Sequence, residues 1–128
     1  MNKKRINAYL PNAIQALTEV GIVQDGKIVE NYNALISTFG AVLSQGDLKS
    51  AVAFLAKDKG PNTESRINLL RAIYYVISGE LEKSNRIFTI ICESSDLRAM
   101  KEQCVDGAIA LKQAMKLYDM GKGGKRGE

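Results

Sequence analysis

The chain has 128 residues, of which 45% are hydrophobic and 25% are charged, and its formal net charge is +4. This length and composition predict one small globular domain, which we assign to residues 1–120, and the apolar runs are too short to span a membrane. The chain has no histidine, and its only cysteines, Cys92 and Cys104, lack a CxxC spacing. These counts argue against a zinc site and acid–base catalysis. We therefore expect a non-enzymatic protein without a cofactor and with two reduced, partly buried thiols.

The excess positive charge is concentrated at the two ends of the chain. Residues 1–5 contribute +3 and residues 121–128 a net +2, which leaves residues 6–120 close to neutral. Residues 121–128 are rich in Gly, Lys and Arg and contain no apolar side chain, so we predict a disordered basic tail. A phosphate-binding P-loop would need a preceding strand, which is lacking here. No long apolar segment follows the basic start, and we therefore expect a cytoplasmic protein.

The first predicted helix has an apolar face with spacings of three and four residues. This face consists of Ile6, Leu10, Ala13, Ile14, Leu17 and Val20. Pro11 interrupts it, so that the helix either begins near Pro11 or is kinked there. Asp25-Gly26 is a hairpin signal, but the flanking strands would be only a few residues long. We therefore predict a loop after Gly21.

Two helices joined by a short turn are predicted between Tyr32 and Lys57. Their apolar stripes are Tyr32, Leu35, Ile36, Phe39, Val42 and Leu43 in the first, and Leu48, Ala51, Val52 and Leu55 in the second, with Phe54 at the edge. We expect Gly46 to take the left-handed conformation that ends a helix and Asp47 to cap the next one. A break this short predicts antiparallel neighbours.

Three more helices are predicted after a loop at residues 57–62. They cover residues 63–77, 80–92 and 97–119, with caps at Asn62 or Thr63 for the first and at Asp96 for the last. Residues 87–92 have strand propensity, but no partner strand is evident nearby, so a helix is the better prediction. The predicted fold class is therefore all-α, a compact bundle of about five or six helices without a sheet.

The stretch from Tyr32 to Lys57 resembles the signature hairpin of the small α-helical subunit of type III-B CRISPR effector complexes, the Cmr small subunit. In that family a tyrosine opens a helix, a Gly-Leu turn follows, and an Ala-Phe-Leu run with a basic residue closes the second helix. The corresponding residues here are Tyr32, Gly46, Leu48, Ala53, Phe54, Leu55 and Lys57. Gly40 stands where the family often has proline, Asp47 separates Gly46 from Leu48, and the late tryptophan of many members is missing.

A second pattern on the last predicted helix concerns charge. Arg98, Lys101, Lys112 and Lys116, which we call the basic stripe, fall within an arc of about 60°. The stripe fits either a line of phosphate contacts or a solvated helix side. Lys49 and Lys57 lie eight residues apart on a similar helix face and are further candidates for nucleic-acid contact. Arg66 and Arg71 on the next helix are candidates too, although each alone is typical of an ordinary surface charge.

The resemblance implies a non-catalytic subunit that stacks in several copies beside larger RNA-binding subunits. Its partners would be those subunits, copies of itself, and the backbone of the paired guide and target RNA, with no membrane. The equivalent small subunit of type III-A complexes is an alternative within this class. An alternative from another class is a helical adaptor that binds proteins through an apolar groove and does not contact nucleic acid.

Overall fold

The computed structural model of the protein describes residues 1–57 and 59–120. These residues form the predicted all-α bundle, with six helices and three strands of two residues each. The helices are α1 (Lys3–Val20), α2 (Tyr32–Gln45), α3 (Leu48–Ala56), α4 (Thr63–Ser78), α5 (Ile87–Cys92) and α6 (Leu97–Met115), and the strands are β1 (Val23–Gln24), β2 (Lys27–Ile28) and β3 (Asp119–Met120). None of the described helices is long and apolar enough to cross a membrane. The predicted tail, residues 121–128, lies outside the described residues.

Helix α6 packs against α1, α4 and α2 and carries a largely buried face. Its Asp106 is only 1% exposed. The Asp106 carboxylate accepts hydrogen bonds from Arg5 Nη1 at 3.0 Å and from the backbone N–H of Asn2 at 3.1 Å. This ion pair, between half-buried Arg5 and buried Asp106, joins the start of α1 to the middle of α6. Beyond the helices, β2, which follows α1, pairs parallel with β3, which follows α6.

Helix α1 continues through Pro11, so the prediction that it begins near Pro11 is wrong. Asn2 starts the helix earlier, because its side chain accepts a hydrogen bond from the N–H of Arg5 at 3.0 Å. Pro11 is exposed. The helix ends at Gly21, whose φ of 91° is the left-handed conformation expected at such a position.

The predicted loop after Gly21 is partly wrong, because it contains a minimal hairpin. Asp25 and Gly26 have φ angles of 55° and 76°, as a tight hairpin turn requires, and β1 pairs antiparallel with β2. β3 pairs parallel with β2. The hairpin thus has β3 as a third strand, and Ile28 of β2 is completely buried. Since α6 ends at Met115, the prediction that the last helix extends to about residue 119 is wrong.

The two central helices confirm the predicted apolar stripes, since Phe39, Leu43, Val52 and Leu55 are completely buried. Phe54 is half-buried at the edge, as predicted. The cap is also confirmed, because Asp47 Oδ1 accepts from the N–H of Ser50 at 2.7 Å.

The expected left-handed conformation at Gly46 is wrong, since its φ is −129°. Glycine suits this turn for another reason. A Cβ atom at Gly46 would lie 3.1 Å from the carbonyl oxygen of Val42, closer than such contacts normally allow. The turn therefore depends on a close backbone approach.

The helix predicted over residues 80–92 is much shorter, because α5 begins only at Ile87. Local side-chain bonds hold residues 80–86 in a non-helical form, a competition typical of Ser and Glu near helix ends. Ser78 Oγ accepts from the N–H of Glu80 at 3.1 Å, and Glu82 accepts from both the N–H and the hydroxyl of Ser84. These bonds lower the pKa of the Glu82 carboxyl.

Arg66 on α4 is a structural residue and not the surface charge that the sequence indicated. It is 5% exposed, and all five of its N–H groups have neutral oxygen partners. Nε donates to Pro61 O at 3.1 Å, Nη1 to Phe54 O at 3.2 Å and Lys57 O at 2.6 Å, and Nη2 to Lys59 O at 2.8 Å and Thr63 Oγ1 at 3.1 Å. A single side chain thus fixes the connection between α3 and α4.

We expect Arg66→Met to lower the free energy of unfolding by roughly 3 kcal/mol, because buried carbonyl groups lose their donors. Urea denaturation followed by circular dichroism measures the change. Arg86→Met is the matched control, since Arg86 is exposed and the charge change is the same; it should cost less than about 0.5 kcal/mol. Equal stabilities of the two variants would contradict the structural role of Arg66.

Candidate nucleic-acid interface

The basic stripe lies along α6 at the surface of the bundle. Arg98, Lys112 and Lys116 are exposed, and Lys101 is half-buried. From Arg98 to Lys116 the stripe covers about 27 Å, at about 1.5 Å of helix rise per residue. Three of these cations therefore lie on α6 and the fourth, Lys116, directly follows it, and all four are at least partly accessible to solvent.

Two lysines of the stripe also contact α2. Lys101 Nζ donates to the carbonyl oxygen of Gly46 at 3.0 Å, and Lys112 Nζ donates to Ser37 Oγ at 3.2 Å. The residue numbers rise along α6 and fall along α2, so the two helices are antiparallel. Each ammonium group has three N–H donors, and these contacts use one of them. The remaining donors are free to bind an anion at the α2–α6 seam.

The first residue of the stripe lies in a cleft of about 480 Å³ between the chain start and α6. The cleft is lined by Met1, Asn2, Arg5, Arg98, Lys101, Glu102, Val105 and Asp106. Arg5 neutralises Asp106 at 3.0 Å, which leaves Arg98 and Lys101 facing one carboxylate, Glu102. The sequence indicated charge at residues 1–5 but did not place Arg5 beside the stripe, because this contact joins residues about a hundred positions apart.

Lys49 on α3 is also close to this end of the stripe. Its charge and that of Lys101 both act on Asp47. The hydrogen bonds from Ser50 are the main cause of the lowered pKa of the Asp47 carboxyl, and the two lysines lower it further. Lys57 lies instead at the opposite end of α3, which it directly follows. Lys49 therefore lies near the Arg98–Lys101 end of the stripe, whereas Lys57 lies at the far end of α3.

The two cysteines are free thiols, Cys104 buried and Cys92 half-buried. Burial raises the pKa of Cys104 to about 12 and also raises the pKa of Cys92. Both groups are therefore protonated near neutral pH and are poor nucleophiles. Within the described ranges, no cluster of three His, Cys, Asp or Glu side chains could hold a metal ion.

Comparison of the chain with protein-family models, curated proteins and solved structures finds no significant match.

Alkylation by iodoacetamide at about pH 8 should modify Cys92 slowly and leave Cys104 unmodified in the folded protein. In urea both cysteines should react at the rate of an ordinary thiol, because the burial that raises their pKa values is removed. Mass spectrometry of the peptides at successive times gives the two rates. Rapid labelling of Cys104 without denaturant would contradict its buried position.

Proposed function

We propose that the protein is a non-catalytic small structural subunit of a type III-B CRISPR RNA-guided effector complex. In this proposal several copies stack along the complex, and each contacts the backbone of the paired guide and target RNA. The observation that carries the proposal is the basic stripe, four cations along one accessible edge of α6 in a chain whose body is nearly neutral.

The hairpin that resembles the Cmr small subunit supports the same proposal. Tyr32 is the first residue of α2, Leu48 is the first residue of α3, and Lys57 directly follows α3. These positions agree with the family pattern of a tyrosine that opens one helix and a basic residue that closes the next. Tyr32 is buried, and its hydroxyl accepts a hydrogen bond from Asn68 at 3.3 Å.

The charge distribution fits binding to a phosphate backbone in an assembled complex. One copy offers few cations, so its own affinity for RNA would be low. Stacked copies would place their stripes in series, and weak contacts would then add through effective concentration. Such a surface recognises phosphate and shape, while base pairing between guide and target supplies the sequence specificity.

A protein-binding adaptor is the second candidate, and one groove favours it. The groove, which we call the Phe88 groove, has a volume of about 550 Å³ and is lined mainly by apolar or small side chains of α3, α4, α5 and the segment before α5. The lining residues are Ala53, Ala56, Lys57, Ile67, Ser84, Asn85, Ile87, Phe88 and Thr89. Salt distinguishes the candidates, because phosphate contacts weaken steeply with rising salt and apolar contacts do not.

Reversing Lys112 and Lys116 to Glu should weaken the binding of target RNA by the reconstituted complex. The dependence of affinity on salt should flatten by roughly one unit of slope for each phosphate that a copy of the subunit no longer binds. The melting temperature should change little, since both lysines are exposed and the contact of Lys112 with Ser37 is a single hydrogen bond at the surface. Fluorescence anisotropy at several salt concentrations measures the affinity.

The matched control is the double variant Lys27→Glu, Lys83→Glu, which changes the net charge equally at two exposed lysines outside the stripe. It should bind RNA nearly as well as the wild type. If the stripe variant and the control bind equally at every salt concentration, the basic stripe is a solvated helix side and the proposed contact is wrong.

A further inference from the structure

A second groove lies where α2, the end of α3 and the start of α4 meet, and we call it the Phe54 groove; it shares Lys57 with the Phe88 groove. Its volume is about 360 Å³. The groove is lined by Leu35, Thr38, Phe54, Lys57, Lys59, Pro61, Asn62 and Arg66. Phe54 is a half-buried aromatic side chain, and Lys57 and Lys59 are exposed. The Phe54 groove therefore combines an aromatic wall with two accessible ammonium groups.

Part of the positive charge of the Phe54 groove comes from a buried residue, Arg66. Arg66 is almost completely buried, and its five hydrogen bonds all go to uncharged oxygens. Its positive charge therefore has no carboxylate partner among the described residues, where the single ion pair is that of Arg5 and Asp106. A buried charge without a counter-ion attracts anions to the adjoining surface.

The other residues that line the Phe54 groove also favour an anionic ligand. No carboxylate is among them; Asp58, between the two lysines in sequence, lies outside the described residues. Asn62 directly precedes α4, a helix of 16 residues, so the positive end of the helix dipole adjoins the groove. The Asn62 amide oxygen accepts from Asn31 at 3.1 Å, and its amide N–H groups have no acceptor among the described residues. Thr38 supplies an exposed hydroxyl.

We propose that the Phe54 groove binds one unpaired nucleotide of single-stranded RNA. The base stacks on Phe54, and the adjoining phosphates bind Lys57 and Lys59. Aromatic stacking combined with cations is how proteins hold single strands without reading their sequence. An acidic peptide would satisfy the charge, but the aromatic wall beside the lysines favours a ligand that is both planar and anionic. This inference rests on the proposed contact with RNA and adds a site for an unpaired base, away from the basic stripe.

The test is an NMR titration of the full chain with the single-stranded tetranucleotide rA4. We expect rA4 to shift the amide resonances of Phe54, Lys57 and Lys59. Phe54→Leu should weaken rA4 binding about tenfold, since the aromatic ring on which the base stacks is removed. Lys59→Gln should weaken it as well, and because Lys59 is exposed, this variant tests the site even if Phe54→Leu disturbs packing.

Phe88→Leu is the matched control, because Phe88 is also half-buried but lines the neighbouring Phe88 groove. It should bind rA4 as the wild type does. The variant Lys112→Glu, Lys116→Glu separates the two proposals, since it should weaken target-RNA binding by the reconstituted complex and leave the rA4 shifts at Phe54 in the single chain unchanged. If the complex with that variant binds target RNA as the wild-type complex does while rA4 still shifts Phe54, the proposed contact of the stripe is wrong and the nucleotide site in the Phe54 groove is retained.

Three outcomes would overturn the nucleotide site. The first is an absence of shifts at Phe54, Lys57 and Lys59 at millimolar rA4. The second is an unchanged rA4 affinity in both Phe54→Leu and Lys59→Gln. The third is tighter binding of a tetraglutamate peptide than of rA4 in the same groove, which would assign it to an acidic protein segment.

Discussion

The connection between α3 and α4 depends on one side chain, the buried guanidinium of Arg66. The last turn of a helix leaves carbonyl groups without partners, and Arg66 satisfies those of Phe54 and Lys57 at the end of α3. It also binds the carbonyl groups of Lys59 and Pro61 in the following loop. Burying a charge is costly, and the fixed fork of five donors offsets that cost only because every donor has an acceptor. Since the acceptors are all neutral, the fold retains a positive charge next to the Phe54 groove. A structural requirement of the loop thus produces the electrostatic property on which an anion site would depend.

Helix α6 likewise combines a structural role with residues of the proposed phosphate contact. Its buried Asp106 holds the chain start through Arg5 and the N–H of Asn2, and Lys101 and Lys112 on its accessible edge hold α2. The same helix leads into β3, which pairs with β2. Helix α6 therefore anchors the chain start, α2 and the small sheet together. For this reason a substitution in α6 has to be tested for stability before any decrease in binding is interpreted.

The sequence predicted what local patterns determine and missed what distant contacts determine. Spacings of three and four located the helices, and Asp47 and Asp96 were recognised as caps; Asp96 accepts from the N–H of Ala99 at 3.0 Å. The sheet was missed because β3 comes from the far end of the chain. The burial of Arg66 was missed because its acceptors are mostly backbone carbonyl groups, which leave no signal in the sequence. Among the candidate site residues, the basic stripe followed from helix geometry. The position of Arg5 beside the stripe and the separation of Lys57 from the stripe could be seen only in the tertiary structure.

The two lysine contacts with α2 also bear on how the stripe would bind a phosphate backbone. A free lysine side chain loses about 2 kcal/mol of rotamer entropy when it is fixed, which offsets much of the gain from an exposed ion pair. Lys101 and Lys112 are already positioned by Gly46 O and Ser37 Oγ, so part of that cost is met during folding. Each ammonium group keeps two further donors. Pre-organised cations therefore lose less entropy on binding than those of a solvated helix side, which supports a phosphate-binding role for these two positions.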